Sequence, residues 1–230
     1  IGKITIALPR LERLEIFASI TENTISALAK LNNLRRLVLR LPFRSSFNQN
    51  PSIRLSISSP DETGRRVDLE RLQVLILSGL AGGDQGTELC RRLVGPNLSR
   101  LGISECFIGE ENTRIIAKAC GKSLTHIWLD YIQFETEKAL QTLVEGCPNV
   151  EVLKLTSANV KSNTLPMIYA QCKGWKKLNT LITDDSCVET FGRQKTYWRT
   201  MTSNLCGNIE TLCLTKATPD NACYVVDRCP

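Results

Sequence analysis

A parallel α/β solenoid is the fold class this sequence predicts: a right-handed β-α superhelix, horseshoe-like, with one short strand per turn and a helix returning outside it. Three observations predict it. One phrase recurs along the chain, its copies keep a near-constant spacing, and three consecutive intervals carry helices with their own start and stop signals. The phrase reads Leu72-x-x-Leu75-x-Leu77, then Leu98-x-x-Leu101-x-Ile103, Leu124-x-x-Ile127-x-Leu129 and Val150-x-x-Leu153-x-Leu155, each starting 26 residues after the last. Looser copies, Leu178-x-x-Leu181-x-Thr183 and Ile209-x-x-Leu212-x-Leu214, follow at intervals of 28 and 31. Upstream, Leu11-x-x-Leu14-x-Ile16 and Leu34-x-x-Leu37-x-Leu39 start 23 residues apart. A phrase of this spelling at a period of roughly 20–29 residues is the leucine-rich repeat, of the ribonuclease-inhibitor-like kind, whose stacked units share one continuous core. Residues 1–230 therefore read as a single array of about eight to nine repeats, with an irregular insertion at about 42–68.

Taken in order, the opening Ile1-Gly2-Lys3-Ile4-Thr5-Ile6 reads as a strand already under way. Two strand phrases follow. Leu39 and Leu72 then stand 33 positions apart, more than one unit needs. That stretch holds Pro42, Pro51 and Pro60 and the polar run from Ser58 to Arg66. The alternating Ile53-Arg54-Leu55-Ser56-Ile57 has the form of a degenerate strand, so we expect one atypical repeat followed by an exposed loop over 58–66, a composition that buries too little to pack. Gly79-Leu80-Ala81-Gly82-Gly83-Asp84 lacks the Lys and the spacing of a phosphate-binding loop and reads as a strand-to-helix turn.

The unit from Leu98 to Ser123 shows the plan. Leu98, Leu101 and Ile103 turn inward while Arg100, Gly102 and Ser104 alternate onto the other face. Cys106 falls where such repeats place a small residue under the turn. Glu110, Glu111 and Asn112 open a helix, with acidic groups at the positive end of its dipole. Ile115, Ile116 and Ala119 share one face, and Gly121 is expected to end the helix in the manner of a glycine cap. The next unit opens at Thr136 and Glu137, packs Ala139, Leu140, Leu143 and Val144, and stops at Gly146. In the third, Pro166 stands near the helix start, where its missing N–H is tolerated, and Gly174 closes the turn. From Asp184 to Ser203 the helix lengthens and carries Arg193, Lys195, Tyr197, Trp198 and Arg199, aromatics that pack beside it or form a basic contact patch. The chain stops at Asp227-Arg228-Cys229-Pro230, where the next strand is due. With no polar cap spelled at either end, we expect a section of a longer protein.

Composition narrows the function classes. Hydrophobic content is 42%, aromatic content 6% and formal net charge +6. The charge excess is short of the dense clustering of a nucleic-acid binder. No apolar run approaches the roughly 18 residues of a membrane span, and no signal peptide is spelled. The ten cysteines include no C-x-x-C pair, and His126 is the sole histidine. Cys120, Cys147, Cys172, Cys206 and Cys229 each close a predicted helix and so follow the repeat; we expect core thiols, neither bridged nor metal-bound. Reduced thiols point to the cytoplasm or nucleus. No nucleophile elbow or other catalytic motif is spelled. The chain reads as no enzyme, with no cofactor, no metal and no membrane association.

A solenoid's usual product is a concave surface for another macromolecule. Alternation places on it Arg13, Glu15, Phe17, Arg36, Val38, Arg40, Val74, Ile76 and Ser78, then Arg100, Gly102, Ser104, His126, Trp128, Asp130, Val152, Lys154 and Thr156. The expected partner-binding residues are Arg13, Arg36, Arg40, Arg100, His126, Trp128, Asp130, Lys154 and Thr156, centred on His126, Trp128 and Asp130. A nucleic-acid track along Arg13, Arg36, Arg40 and Arg100 is interrupted by Asp130 and Asp184, so a protein is the expected partner.

The Cys after the strand, the Cys ending the helix and the 26-residue spacing resemble the cysteine-containing class of leucine-rich repeat. Cys106-Phe107-Ile108-Gly109-Glu110, the run Ile115 to Leu124 and the run Leu143 to Leu153 carry the match, which covers most of Leu72 to Pro230. This subclass is similar to the repeat domains of F-box proteins, the substrate receptors of cullin-based ubiquitin ligases. The resemblance implies repeats that curve around a protein substrate, with a ligase adaptor held through an F-box helix bundle that residues 1–230 do not spell. A non-enzymatic scaffold subunit of a larger assembly, unrelated to ubiquitin, is the alternative.

Overall fold

A computed structural model describes residues 8, 10–41, 69–79, 84–156, 174–184 and 209–215, without the side chains of 84, 85, 133, 137 and 184. Among the described residues eight strands form one sheet in strict chain order, and every neighbouring pair is parallel. They are β1 (Arg13–Phe17), β2 (Arg36–Arg40), β3 (Val74–Ser78), β4 (Arg100–Ile108), β5 (His126–Phe134), β6 (Val152–Thr156), β7 (Thr180–Asp184) and β8 (Thr211–Thr215). Four described helices lie between them: α1 (Glu22–Leu28), α2 (Asp84–Leu93), α3 (Glu110–Cys120) and α4 (Glu137–Gly146). This is the leucine-rich-repeat architecture.

The register follows the phrase. Leu14, Leu37, Leu75, Leu101, Ile127, Leu153, Leu181 and Leu212 form one row across the sheet, and Ile16, Leu39, Leu77, Ile103, Leu129, Leu155, Thr183 and Leu214 the other. Most of these side chains are buried against α1–α4 in a single apolar cluster. A second device repeats with them. At each of the seven junctions, two successive N–H groups at the start of a strand donate to one carbonyl of the repeat before: those of Glu12, Arg35, Gln73, Ser99, Thr125, Glu151 and Asn179. Asn97 and Asn149 reach back with their side chains to the Glu70 and Lys122 carbonyls, and Ser123 to that of Leu98. The two looser copies, at Leu178 and Ile209, thus make the same backbone joint as the well-spelled ones.

β2 pairs directly with β3, and Leu41 N–H donates to the Ser78 carbonyl. The insertion expected at about 42–68, with its Ile53–Ile57 alternation and 58–66 loop, Pro166 and the long helix expected near 184–203 lie outside the described residues.

Helix starts follow local chemistry. Thr21 caps α1, its hydroxyl accepting from Thr24 N–H while Thr24 returns the bond to Thr21 N–H. Thr136 caps α4 through Ala139 N–H, and Asn112 accepts from Gly109 N–H at the start of α3. Gly121 stands at the C-cap of α3 as expected, but with a right-handed backbone (φ −55°, ψ −33°), and Gly146 is the last residue of α4, not past its end. Both are glycines for want of space, because a Cβ on Gly121 would strike the Gly146 carbonyl oxygen and one on Gly146 the Ala117 Cβ.

Left-handed backbone instead recurs at one place in three successive repeats: Gly79 (φ 76°), Glu105 (φ 53°) and Tyr131 (φ 51°). Each follows the third outward residue of its strand and swings the chain off the strand line. β4 and β5 resume pairing after it, joining Cys106, Phe107 and Ile108 to Ile132, Gln133 and Phe134, which is why these two strands run longer than the phrase foretells. Glycine takes this conformation freely, whereas a side chain pays roughly 1–2 kcal/mol. Glu105→Gly is therefore expected to raise stability by about 1 kcal/mol in urea denaturation. Gly79→Ala should lower it, since its Cβ would also stand 2.8 Å from the Leu41 carbonyl oxygen.

Candidate functional site

The sheet face away from the helices presents three rows of side chains. The first runs Arg13, Arg36, Val74, Arg100, His126, Val152, Thr180 and Thr211. The middle row runs Glu15, Val38, Ile76, Gly102, Trp128, Lys154, Ile182 and Cys213. The third runs Phe17, Arg40, Ser78, Ser104, Asp130 and Thr156. Expected site residues thus share one face. Arg13, Arg40 and Arg100 are exposed; Arg36, His126, Trp128, Asp130 and Lys154 are half-buried.

Thr156 is a correction: it is 7% exposed, and its hydroxyl donates to Asp130 Oδ1 at 2.7 Å. This bond, between strands one repeat apart, engages one Asp130 oxygen and withdraws Thr156 from contact. Val38 and Gly102, placed on the face by alternation, are also buried. Val38 lies in register between Glu15 and Ile76 and is 3% exposed. Gly102 is roofed by its neighbours: a Cβ there would lie 3.2 Å from Ile76 Cγ1 and 3.3 Å from Trp128 Cε3. The glycine lets Ile76 and Trp128 close over the backbone, making a shallow apolar shelf.

Trp128 stands edge-on to His126, with ring centroids 6.5 Å apart and planes at 87°. The Thr125 hydroxyl is 2.9 Å from His126 Nδ1. Burial, and then the Arg100 cation, lower the imidazole pKa, with Glu151 opposing. His126 is therefore neutral at physiological pH, a hydrogen-bonding group and not a cation. Charge on this face gathers toward β1–β4. Arg40 pairs with Glu15 at 2.8 Å, whereas Arg13, Arg36 and Arg100 have no ion pair among the described residues. Phe17 is 72% exposed at the end of β1. Sequence reasoning put the three unpaired arginines among the expected site residues but gave Phe17 and Ile76 no special standing, although alternation alone places them.

The cysteines split. Cys90, Cys106, Cys120 and Cys147 are buried. Burial pushes the Cys90 thiol up to about 11, the Asn112 hydrogen bond opposing, and the Cys147 thiol up to about 12. Both are protonated and unreactive at neutral pH. Cys213 is exposed, against the expectation of a core thiol. Its neighbours Leu212 and Leu214 point inward, so it must point out. Cys172, Cys206 and Cys229 lie outside the described residues. Among the described residues no group of three or more His, Cys, Asp or Glu side chains converges to hold a metal. No described helix is long and apolar enough to cross a membrane.

No protein-family model matches the chain, and no curated protein does. Solved structures similar to it include the tropomodulin C-terminal domain from Caenorhabditis elegans, at 16% identity over 62% of this chain and 90% of that one, with a TM-score of 0.44. An internalin from Listeria monocytogenes is similar at 12% identity over 84% of this chain and 51% of that one, with a TM-score of 0.37.

Proposed function

We propose that the chain is a protein-interaction solenoid that docks a partner on the open sheet face, as the substrate-recognition repeats of an F-box-type cullin ubiquitin ligase receptor. The observation that carries docking is Trp128, a half-buried indole on the open face, set on the Gly102 shelf among hydrogen-bonding groups. Tryptophan in such a setting is the composition of an interface anchor. The ligase assignment rests on the cysteine-containing repeat spelling around Cys106, Cys120 and Cys147. The adaptor would be held outside residues 1–230, and the reading places the protein in the cytoplasm or nucleus.

Copurification of the full-length protein with a cullin adaptor is the test. Recovery of the adaptor supports the receptor reading; recovery of a partner without it favours the scaffold alternative. Trp128→Ala is expected to weaken that partner by roughly 2 kcal/mol or more. The fold should stay intact, because the inward Ile127 and Leu129 are untouched. Unchanged affinity in the folded variant would remove Trp128 from the interface.

A further inference from the structure

We propose that the open face of β1–β5 takes an extended acidic segment of a protein partner, its carboxylates against Arg13, Arg36 and Arg100 and its apolar side chains against the Ile76–Trp128 shelf. This rests on the reading of the open face as the docking surface and names what docks there.

Charge carries the argument. Of the described arginines off this face, Arg35, Arg91, Arg92 and Arg114 are each paired with a glutamate, while Arg71 donates to Asn33 Oδ1 and Arg10 has no ion pair among the described residues. The three arginines of the first row have no ion pair among the described residues. Arg13 and Arg36 are direct register partners, and Arg36 reaches Arg100 across Val74 alone. With strands roughly 4.8 Å apart, the three guanidinium groups fall along a line of roughly 15 Å, the reach of about five extended residues. An unpaired guanidinium fork matches a carboxylate bidentately. The adjoining middle row supplies apolar surface from Ile76 and Trp128, so alternating acidic and apolar side chains would meet both rows at once. Farther along, the first row turns neutral at Val152, Thr180 and Thr211, which confines the site to the first five strands. Glu15 and Asp130 on the same face, and the apolar middle row, favour a polypeptide over the continuous polyanion of a nucleic acid.

Fluorescence anisotropy on the full chain tests this with a labelled peptide of alternating glutamate and leucine. Its glutamine-for-glutamate counterpart and a single-stranded DNA oligonucleotide serve as competing probes. The acidic peptide should bind, weaken as salt rises, and lose roughly tenfold or more in affinity in Arg36→Glu/Arg100→Glu. Lys118→Glu/Lys122→Glu, the same charge change at exposed positions at the end of α3 and just after it, should leave binding intact. Equal binding of the glutamine peptide, retained affinity in the arginine variant, or tighter binding of the DNA would each overturn the proposal. The partner recovered with the full-length protein separates the two readings. Loss with Trp128→Ala but not with the arginine variant overturns the acidic segment and leaves the docking face standing. Loss with neither overturns both.

Discussion

Arg92→Ala is expected to cost about 3–5 kcal/mol of folding stability, the largest single loss we foresee outside the leucine rows. Arg92 is 3% exposed and lies on the inner side of α2. Its Nε donates to Glu88 Oε1 at 2.8 Å, one turn earlier, and its Nη1 to Glu22 Oε1 at 2.5 Å, on the first turn of α1. Burial alone disfavours the guanidinium charge, but the hydrogen bonds to Glu88 and Glu22 and their charges outweigh it and hold the cation above its ordinary range. Removing the arginine strands the Glu88 carboxylate, 5% exposed, with only the half-exposed Arg91 at 2.6 Å. Glu22, whose Oε2 already has no partner among the described residues, loses its counterion. It also cuts a tie between helices whose residues stand 70 positions apart. Urea denaturation measures the loss. Arg92→Leu combined with Glu88→Leu and Glu22→Gln should recover most of it, because the cost lies in the orphaned charges and not in the absence of an ion pair. A triple variant no better than Arg92→Ala would defeat that account.

This cluster marks where sequence reading stops. Glu88 and Arg92 are spaced four apart, like any solvated helix pair, and nothing local says that Glu22 arrives beside them. The strands were legible for the opposite reason. Each inward leucine repeats at a fixed distance, and a one-residue slip would turn every one of them to solvent, so register is written many times over. The face opposite was legible to the same degree, down to Arg13, Arg36, Arg100 and Trp128. Burial on it was not. Thr156 is withdrawn by a hydroxyl bond to Asp130 and Gly102 by two neighbouring side chains, and both effects come from adjacent repeats, not from the phrase. The left-handed turns at Glu105 and Tyr131 were hidden likewise, since neither residue type announces such a conformation; only Gly79, at the equivalent place, hints at it.

Gly121→Ala separates two explanations of one glycine. If Gly121 were a conformational cap, alanine would be penalised for a left-handed backbone, but φ is −55° and any residue adopts that. The penalty is steric instead. The new Cβ would meet the Gly146 carbonyl oxygen, backbone against backbone, where α3 and α4 come together at their C-terminal ends. Backbone does not rotate aside as a side chain would, so the two helices must part, and the loss should reach about 3 kcal/mol, the upper end for overpacking. Gly146→Ala should be comparably costly, but for a different obstacle, the Ala117 Cβ. Ala117→Gly, itself costing about 1 kcal/mol in a helix, is therefore expected to rescue Gly146→Ala in part and to leave Gly121→Ala unrescued. Double-mutant cycles over the three positions measure this directly: rescue is predicted for the 117–146 pair and none for 117–121, while Gly121→Ala and Gly146→Ala, which part the same two helix ends, should cost less together than the sum of the two. Rescue of both variants, or a Gly121→Ala protein as stable as the parent, would mean that the helix ends do not meet as described.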